Sequence, residues 1–117
     1  MKIIIAGSRS LSNFNLVKEN VISFIKENNI DNPEIVSGTA KGADRLGEKF
    51  ANEFGFTVKK FPAQWDKYGK SAGYKRNEEM ANYADTLIAF WDGESKGTKH
   101  MIDIANKSKL NVKVIKY

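Results

Sequence analysis

Apolar positions along the chain alternate between two periods. Lys2–Ala6 is a short β-branched run closed by Gly7 and reads as a buried strand. Val17, Val21, Phe24 and Ile25 recur at i, i+4, i+7 and i+8, the stripe of an amphipathic helix. Asn32-Pro33 breaks that pattern, and Glu34–Ser37 reads as a second strand. Ala43, Leu46, Gly47, Phe50, Ala51 and Phe54 return to helical spacing, with Gly55 placed to stop the helix. Phe56–Phe61 is a third strand. Pro62 to Ala72 follows as a loop, long for a strand-to-helix link, and loops of that length tend to carry function. Gly73 to Ala84 is helical with Met80, Ala81 and Ala84 inward, and Thr86–Trp91 is a fourth strand bounded by Asp92-Gly93. A helix from about Gly97 to Lys107 puts Met101, Ile104 and Ala105 on one face, and Asn111–Tyr117 is the last strand.

Strict β-α alternation predicts an α/β fold: one three-layer domain over residues 1–117, with a five-stranded, mostly parallel sheet covered by helices on both faces. Right-handed crossovers make the strand order 3-2-1-4-5. Ligands in such sheets bind outside the carboxyl ends of the strands, where the order reverses between strands 1 and 4. Three loops then face one crevice: Gly7-Ser8-Arg9, Ser37–Asp44 and Asp92–Thr98.

Composition narrows the classes. The 117 residues contain no cysteine, which removes disulfides, thiolate metal sites and a thiol nucleophile and fits a reducing interior. The N-terminal apolar run is too short for a signal peptide and no run approaches the roughly 18 apolar residues of a membrane helix, so the expected location is the cytoplasm, with no membrane partner. The net charge of +5 favours anionic partners. Lys59, Lys60, Lys67, Lys70, Lys75 and Arg76 stand against one acid, Asp66, which reads either as a solvated face or as an anion-facing loop.

The loop Ser37-Gly38-Thr39-Ala40-Lys41-Gly42-Ala43-Asp44 is neither a P-loop nor a dinucleotide fingerprint, because the lysine and glycine spacings differ. Small residues between a strand and a helix still let backbone N–H groups approach an anion. Asp44 either caps the helix or accepts a sugar hydroxyl. Arg9 is placed to clamp a phosphate. Lys70, Arg76 and Asn77 sit beside the start of the third long helix, and Ser95-Lys96-Gly97-Thr98 offers a second helix N-terminus. Trp65, Tyr68, Tyr74 and Trp91 are candidates for stacking on a base or for ordinary packing. His100 is the single histidine, nothing supplies further ligands at metal spacing, and no Gly-x-Ser-x-Gly elbow occurs, so neither a metal nor a cofactor is expected.

The segments Ile3–Leu11 "IIIAGSRSL", Ser37–Ala51 "SGTAKGADRLGEKFA", Trp65–Met80 "WDKYGKSAGYKRNEEM" and Asp85–Ile102 "DTLIAFWDGESKGTKHMI" resemble, in order, the YspA-like branch of the SLOG superfamily. That Rossmann-like group also includes the Lonely guy phosphoribohydrolases and the DNA-processing Smf proteins. The resemblance implies a nucleotide or nucleotide-derived ligand on the glycine-rich loops, an association with nucleotide signalling in anti-phage defence or counter-defence, and a homo-oligomer, dimer or larger. The Lonely guy enzymes place an arginine four residues before a methionine, and a glutamate three residues after the threonine of a Gly-Gly-x-Gly-Thr loop. Arg76 and Met80 match the first pair. Gly97-Thr98 matches the loop's end, but Met101 stands where the glutamate should be. A carboxylate stabilises the positive charge that develops on the sugar as an N-glycosidic bond breaks; a methionine does not.

The expected function is therefore non-catalytic binding of a nucleotide-derived signal, as a sensor or, in a virus, as a sponge in the host cytoplasm. The expected ligand-binding residues are Gly7, Ser8, Arg9, Ser37, Gly38, Thr39, Ala40, Gly42, Asp44, Trp65, Lys70, Arg76, Asn77, Trp91, Gly97 and Thr98. Two alternatives stand beside it. One is a nucleoside-monophosphate phosphoribohydrolase or other N-glycosidase, with Arg76 catalytic. The other is a nucleic-acid-binding module, which the basic segment admits but no recognised motif favours.

Overall fold

The computed structural model describes residues 1–117. Five strands, β1 (Lys2–Gly7), β2 (Glu34–Ser37), β3 (Val58–Lys60), β4 (Thr86–Trp91) and β5 (Asn111–Lys116), form one parallel sheet in the order β3-β2-β1-β4-β5. Four long helices connect them: α1 (Phe14–Glu27), α2 (Ala43–Phe54), α4 (Ala72–Tyr83) and α5 (Lys96–Lys107), with the single-turn α3 (Trp65–Tyr68) ahead of α4. The predicted fold class and strand order are both found.

The alternation of side chains along each strand builds two cores. Ile3, Ile5, Ile35, Ile88 and Phe90 point to one face, where they meet Val17, Val21 and Phe24 of α1 and Phe50 and Ala51 of α2. Ile4, Ala6, Val36, Leu87 and Ala89 point to the other, against Met80 and Ala81 of α4 and Met101 and Ala105 of α5. All three isoleucines of β1 are fully buried, as a central strand covered on both sides requires.

Local chemistry sets the helix ends. The Asn13 side chain accepts from the Leu16 N–H at 3.1 Å to start α1, and the Ser95 hydroxyl accepts from the Thr98 N–H at 3.3 Å to start α5. Gly55 closes α2 in the left-handed conformation, at φ 71°.

Two boundaries differ from the sequence-based expectation. The third strand is shorter than Phe56–Phe61, because the Phe56 N–H turns back to the Ala51 carbonyl as part of the α2 terminus. The stretch from Pro62 to Ala72 is not an open loop: it contains α3 and a 3-10 turn at Gly69–Ser71. No helix is long and apolar enough to cross a membrane.

Candidate functional site

The carboxyl ends of β1 and β4 lie side by side, paired through Gly7 and Phe90, and the segments beyond them diverge around a cleft of about 510 Å³. Ser8 ties these segments together. It is 1% exposed. Its N–H donates to Phe90 O at 3.0 Å, its carbonyl accepts from the Leu11 and Ala43 N–H groups at 3.3 Å each, and its hydroxyl accepts from the Asp92 N–H at 3.2 Å. The first turn of α2 is thereby pinned over the end of β1. Gly42, just ahead of it, holds φ 78°, and a Cβ there would run into the backbone oxygens of Ser8 and Arg9. The N–H groups of Asp44 and Arg45 in that turn have no partner within the protein, and neither do those of Lys96 and Gly97 at the start of α5. Asp44 and Gly97 line the cleft, so each of these helix N-termini brings an unpaired donor and a positive end to it.

Between these ends stand a carboxylate and two guanidinium groups. Asp44 is 5% exposed and its Oδ2 accepts from the Ala40 N–H at 3.2 Å. It therefore clamps its own loop rather than capping α2, whose N-cap is Gly42 without a side-chain bond. Burial raises the Asp44 pKa to about 6; the Ala40 N–H and the charges of Arg76 and Arg9 pull the other way, and Glu48 adds to the rise.

Arg76 crosses the cleft. Its Nη1 donates to the Gly38 carbonyl at 2.5 Å and its Nε to Asn77 Oδ1 at 3.1 Å. Gly38 allows this approach, since a Cβ there would fall 2.7 Å from Asp44 Oδ2 and 2.8 Å from Arg76 Nη1. Burial lowers the Arg76 pKa, opposed by Asp44, and an arginine stays charged at neutral pH.

Asn77, 5% exposed, joins α4 to α5. Its Nδ2 meets Gly97 O at 3.3 Å and His100 Nδ1 at 3.1 Å. A guanidinium only donates and a carbonyl only accepts, so Arg76 and Gly97 fix the amide orientation. His100 Nδ1 must then be the acceptor. The ring of His100 lies 4.4 Å from that of Tyr74, tilted by 48°.

Of the residues singled out in the sequence, Gly7, Ser8, Arg9, Ala40, Asp44, Trp65, Lys70, Arg76, Asn77, Gly97 and Thr98 line this cleft. Gly38 and Thr39 line a smaller groove beside it. Ser37, Gly42 and Trp91 line neither. The Ser37 hydroxyl donates to Glu48 Oε2 at 2.6 Å and accepts from the Thr39 N–H at 3.0 Å, so it shapes the loop from below. Trp91 turns its Nε1–H to the Ser95 carbonyl at 3.1 Å and Lys116 lies over its ring. Of the basic run, Lys70 and Arg76 reach the cleft, while Lys59, Lys60, Lys67 and Lys75 remain on the exposed surface.

The cleft also takes in Ser10, Gly73, Tyr74, Asp92 and Ser95. Gly73 carries a readable signal, since Gly73, Arg76, Asn77 and Met80 are spaced i, i+3, i+4, i+7 along α4. The Asp92 carboxylate accepts from the N–H groups of Ser95 at 2.8 Å and Glu94 at 2.9 Å, which holds its pKa below the usual range. Met80 and Met101, each 1% exposed, complete the lining from the core side.

The backbone is similar to that of DNA processing protein A (DprA) from Streptococcus pneumoniae, with a TM-score of 0.74 at 20% identity. The match covers 97% of this chain and 49% of the other, so the chain spans about half the length of that protein. The gene 61 protein of Mycobacterium phage D29 is 37% identical over 84 residues, 67% of each chain. Residues 1–68 match a described family, and with more than half of its length so matched the chain belongs to the YspA, cpYpsA-related SLOG family.

Proposed function

We propose that the cleft binds a nucleotide or a nucleotide-derived signalling molecule and does not turn it over. The observation that carries this reading is the pairing of opposite chemistries in one cleft: unpaired helix-end N–H groups with Arg9 and Arg76 for phosphate, and the buried Asp44 carboxylate for sugar hydroxyls. Phosphate and polyol are the two halves of a nucleotide. Trp65 and Tyr74, 52% and 46% exposed on the cleft wall, offer faces on which a base can stack.

Met101 supports the absence of turnover. It stands where the resembled Lonely guy motif has its glutamate, and it is packed into the core beside Ala105 and Met80. The Asp92 carboxylate is held by the N–H groups of Glu94 and Ser95, and Asp44 Oδ2 by the Ala40 N–H, which leaves Asp44 acceptor capacity for a sugar hydroxyl but supplies no glutamate at the Met101 position. Likeness to a phage protein supports a viral setting, in which this reading becomes sequestration of a host signal. Homo-oligomerisation and a cytoplasmic setting belong to the same reading.

Titration calorimetry against adenine nucleotides, ADP-ribose derivatives and cyclic dinucleotides tests it, with a dissociation constant well below millimolar expected for at least one of them. A panel without any such binder rejects it. Incubation with nucleoside monophosphates and NAD should release no free base, and release that Arg76→Ala abolishes would make the protein an N-glycosidase instead.

The second reading is nucleic-acid binding. It is favoured by the exposed lysines between Lys59 and Lys75 beside the exposed Trp65, and by likeness to a protein named for DNA processing.

A further inference from the structure

The groove beside the cleft has a volume of about 120 Å³. Pockets that hold a small molecule on their own measure roughly 300–1,000 Å³, a range that includes the cleft and excludes the groove. Arg9, Ala40, Trp65 and Arg76 line both spaces. A hollow too small for its own ligand, sharing half of its wall with a larger site, is an extension of that site.

The shared residues carry the charge. Arg9 is exposed and makes no side-chain hydrogen bond. Arg76 commits Nε and Nη1 to Asn77 and Gly38, and its Nη2 lies on the α4 side, 3.7 Å from where a Cβ on Gly73 would stand. Beyond this waist the groove is uncharged, lined by Gly38, Thr39, Pro62 and Ala63. Thr39 holds φ 65°, an unfavourable conformation for a β-branched residue. Hydrogen bonds keep it there, its N–H donating to Ser37 Oγ at 3.0 Å and its carbonyl accepting from Arg45 Nε at 3.2 Å. The result is an uncharged recess that shares Arg9 and Arg76 with the cleft and carries the Thr39 hydroxyl as its polar side chain.

We infer that the ligand is a nucleotide extended through its phosphate. The nucleoside part occupies the cleft, a bridging phosphate lies at Arg9 and Arg76, and a second sugar enters the recess between Thr39 and Ala63. This rests on the nucleotide-binding reading above and specifies its ligand class. A diphosphate bridge and a phosphodiester bridge share this chemistry, so both are probed.

Calorimetry with AMP, ADP-ribose and the dinucleotide pApA on the wild type should show at least one extended ligand binding roughly tenfold more tightly than AMP, the equivalent of one good hydrogen-bonded contact. Ala63→Phe, which fills the recess, should cancel that margin and leave AMP affinity unchanged; Pro62→Trp, at an exposed position, is the second blocking variant should the first misfold. The extended ligand with the greater margin identifies the bridge. Equal affinity for AMP and both extended ligands overturns the inference and leaves nucleotide binding standing. A margin that survives both blocking variants overturns it as well. Failure of all three ligands to bind overturns this inference, and failure of the cyclic dinucleotides as well overturns the nucleotide reading itself.

Discussion

Burial raises the Asp44 carboxyl to about 6 from the 3.8 of a free aspartate. Between those values the folded chain binds more protons than the unfolded one, so this group's contribution to stability declines as pH rises from about 4 to about 6. Above 6 the fold carries a desolvated carboxylate, at a cost of at most about 3 kcal/mol. Asp44→Asn should therefore be more stable than the wild type at pH 8, with the difference vanishing toward pH 4. Urea denaturation at the two pH values reads this directly, and equal stability at pH 8 would count against it. A carboxylate kept at such a cost in a cleft points to use there, and the same variant should bind nucleotide more weakly. Arg76→Ala removes a charge-assisted contact, generally worth about 1.5–3 kcal/mol, so affinity should drop by roughly 10- to 100-fold in calorimetry. Full affinity in that variant would remove Arg76 from the site. Asp44 was visible in the sequence as a cap or a hydroxyl acceptor; its bond to Ala40 was not, because that depends on the loop folding back over the carboxylate.

The strands and long helices were legible because each carries a clean period: β1 as an unbroken β-branched run, α2 as a stripe from Ala43 to Phe54. α3 was not, since four residues, Trp65–Tyr68, make one turn and no stripe, and none of them is buried. Loop chemistry was half legible. The two glycines of the β2–α2 loop announced a tight backbone approach, but their separate duties depend on partners distant in sequence: Gly38 makes room for Arg76, Gly42 for Ser8 and Arg9. Placing Ser37 and Trp91 among ligand-facing residues followed from their position at strand ends; the structure turns the Ser37 hydroxyl toward Glu48 and the Trp91 Nε1–H toward Ser95. Gly42→Ala should destabilise by roughly 1–3 kcal/mol, through the left-handed backbone and the contact with Ser8 and Arg9 together. A shift in the denaturation midpoint with unchanged slope would register it. An unaffected midpoint would mean that the α2 start is not held as tightly as its packing indicates.

At the scale of the whole molecule, the strand order places the reversal point between β1 and β4, and the cleft follows from it. The sheet topology and family were readable from alternation and motif order, whereas the ligand was not, because the fold serves several chemistries. The net charge of +5 is spread over many exposed lysines, and few cations reach the cleft. Nucleotide affinity should therefore weaken by less than roughly tenfold between 50 and 200 mM salt, whereas a protein making several phosphate contacts on a nucleic acid loses on the order of a thousandfold or more. A steep loss would favour the nucleic-acid reading. Titrating ¹⁵N-labelled protein with AMP and following backbone amide shifts reports whether a nucleotide sits at this reversal point with its phosphate on the helix ends. Saturable shifts are expected at Gly38, Asp44, Arg45 and Gly97, with β5 amides unmoved and a midpoint below millimolar. Shifts confined to other surfaces, or none below millimolar, would contradict this placement.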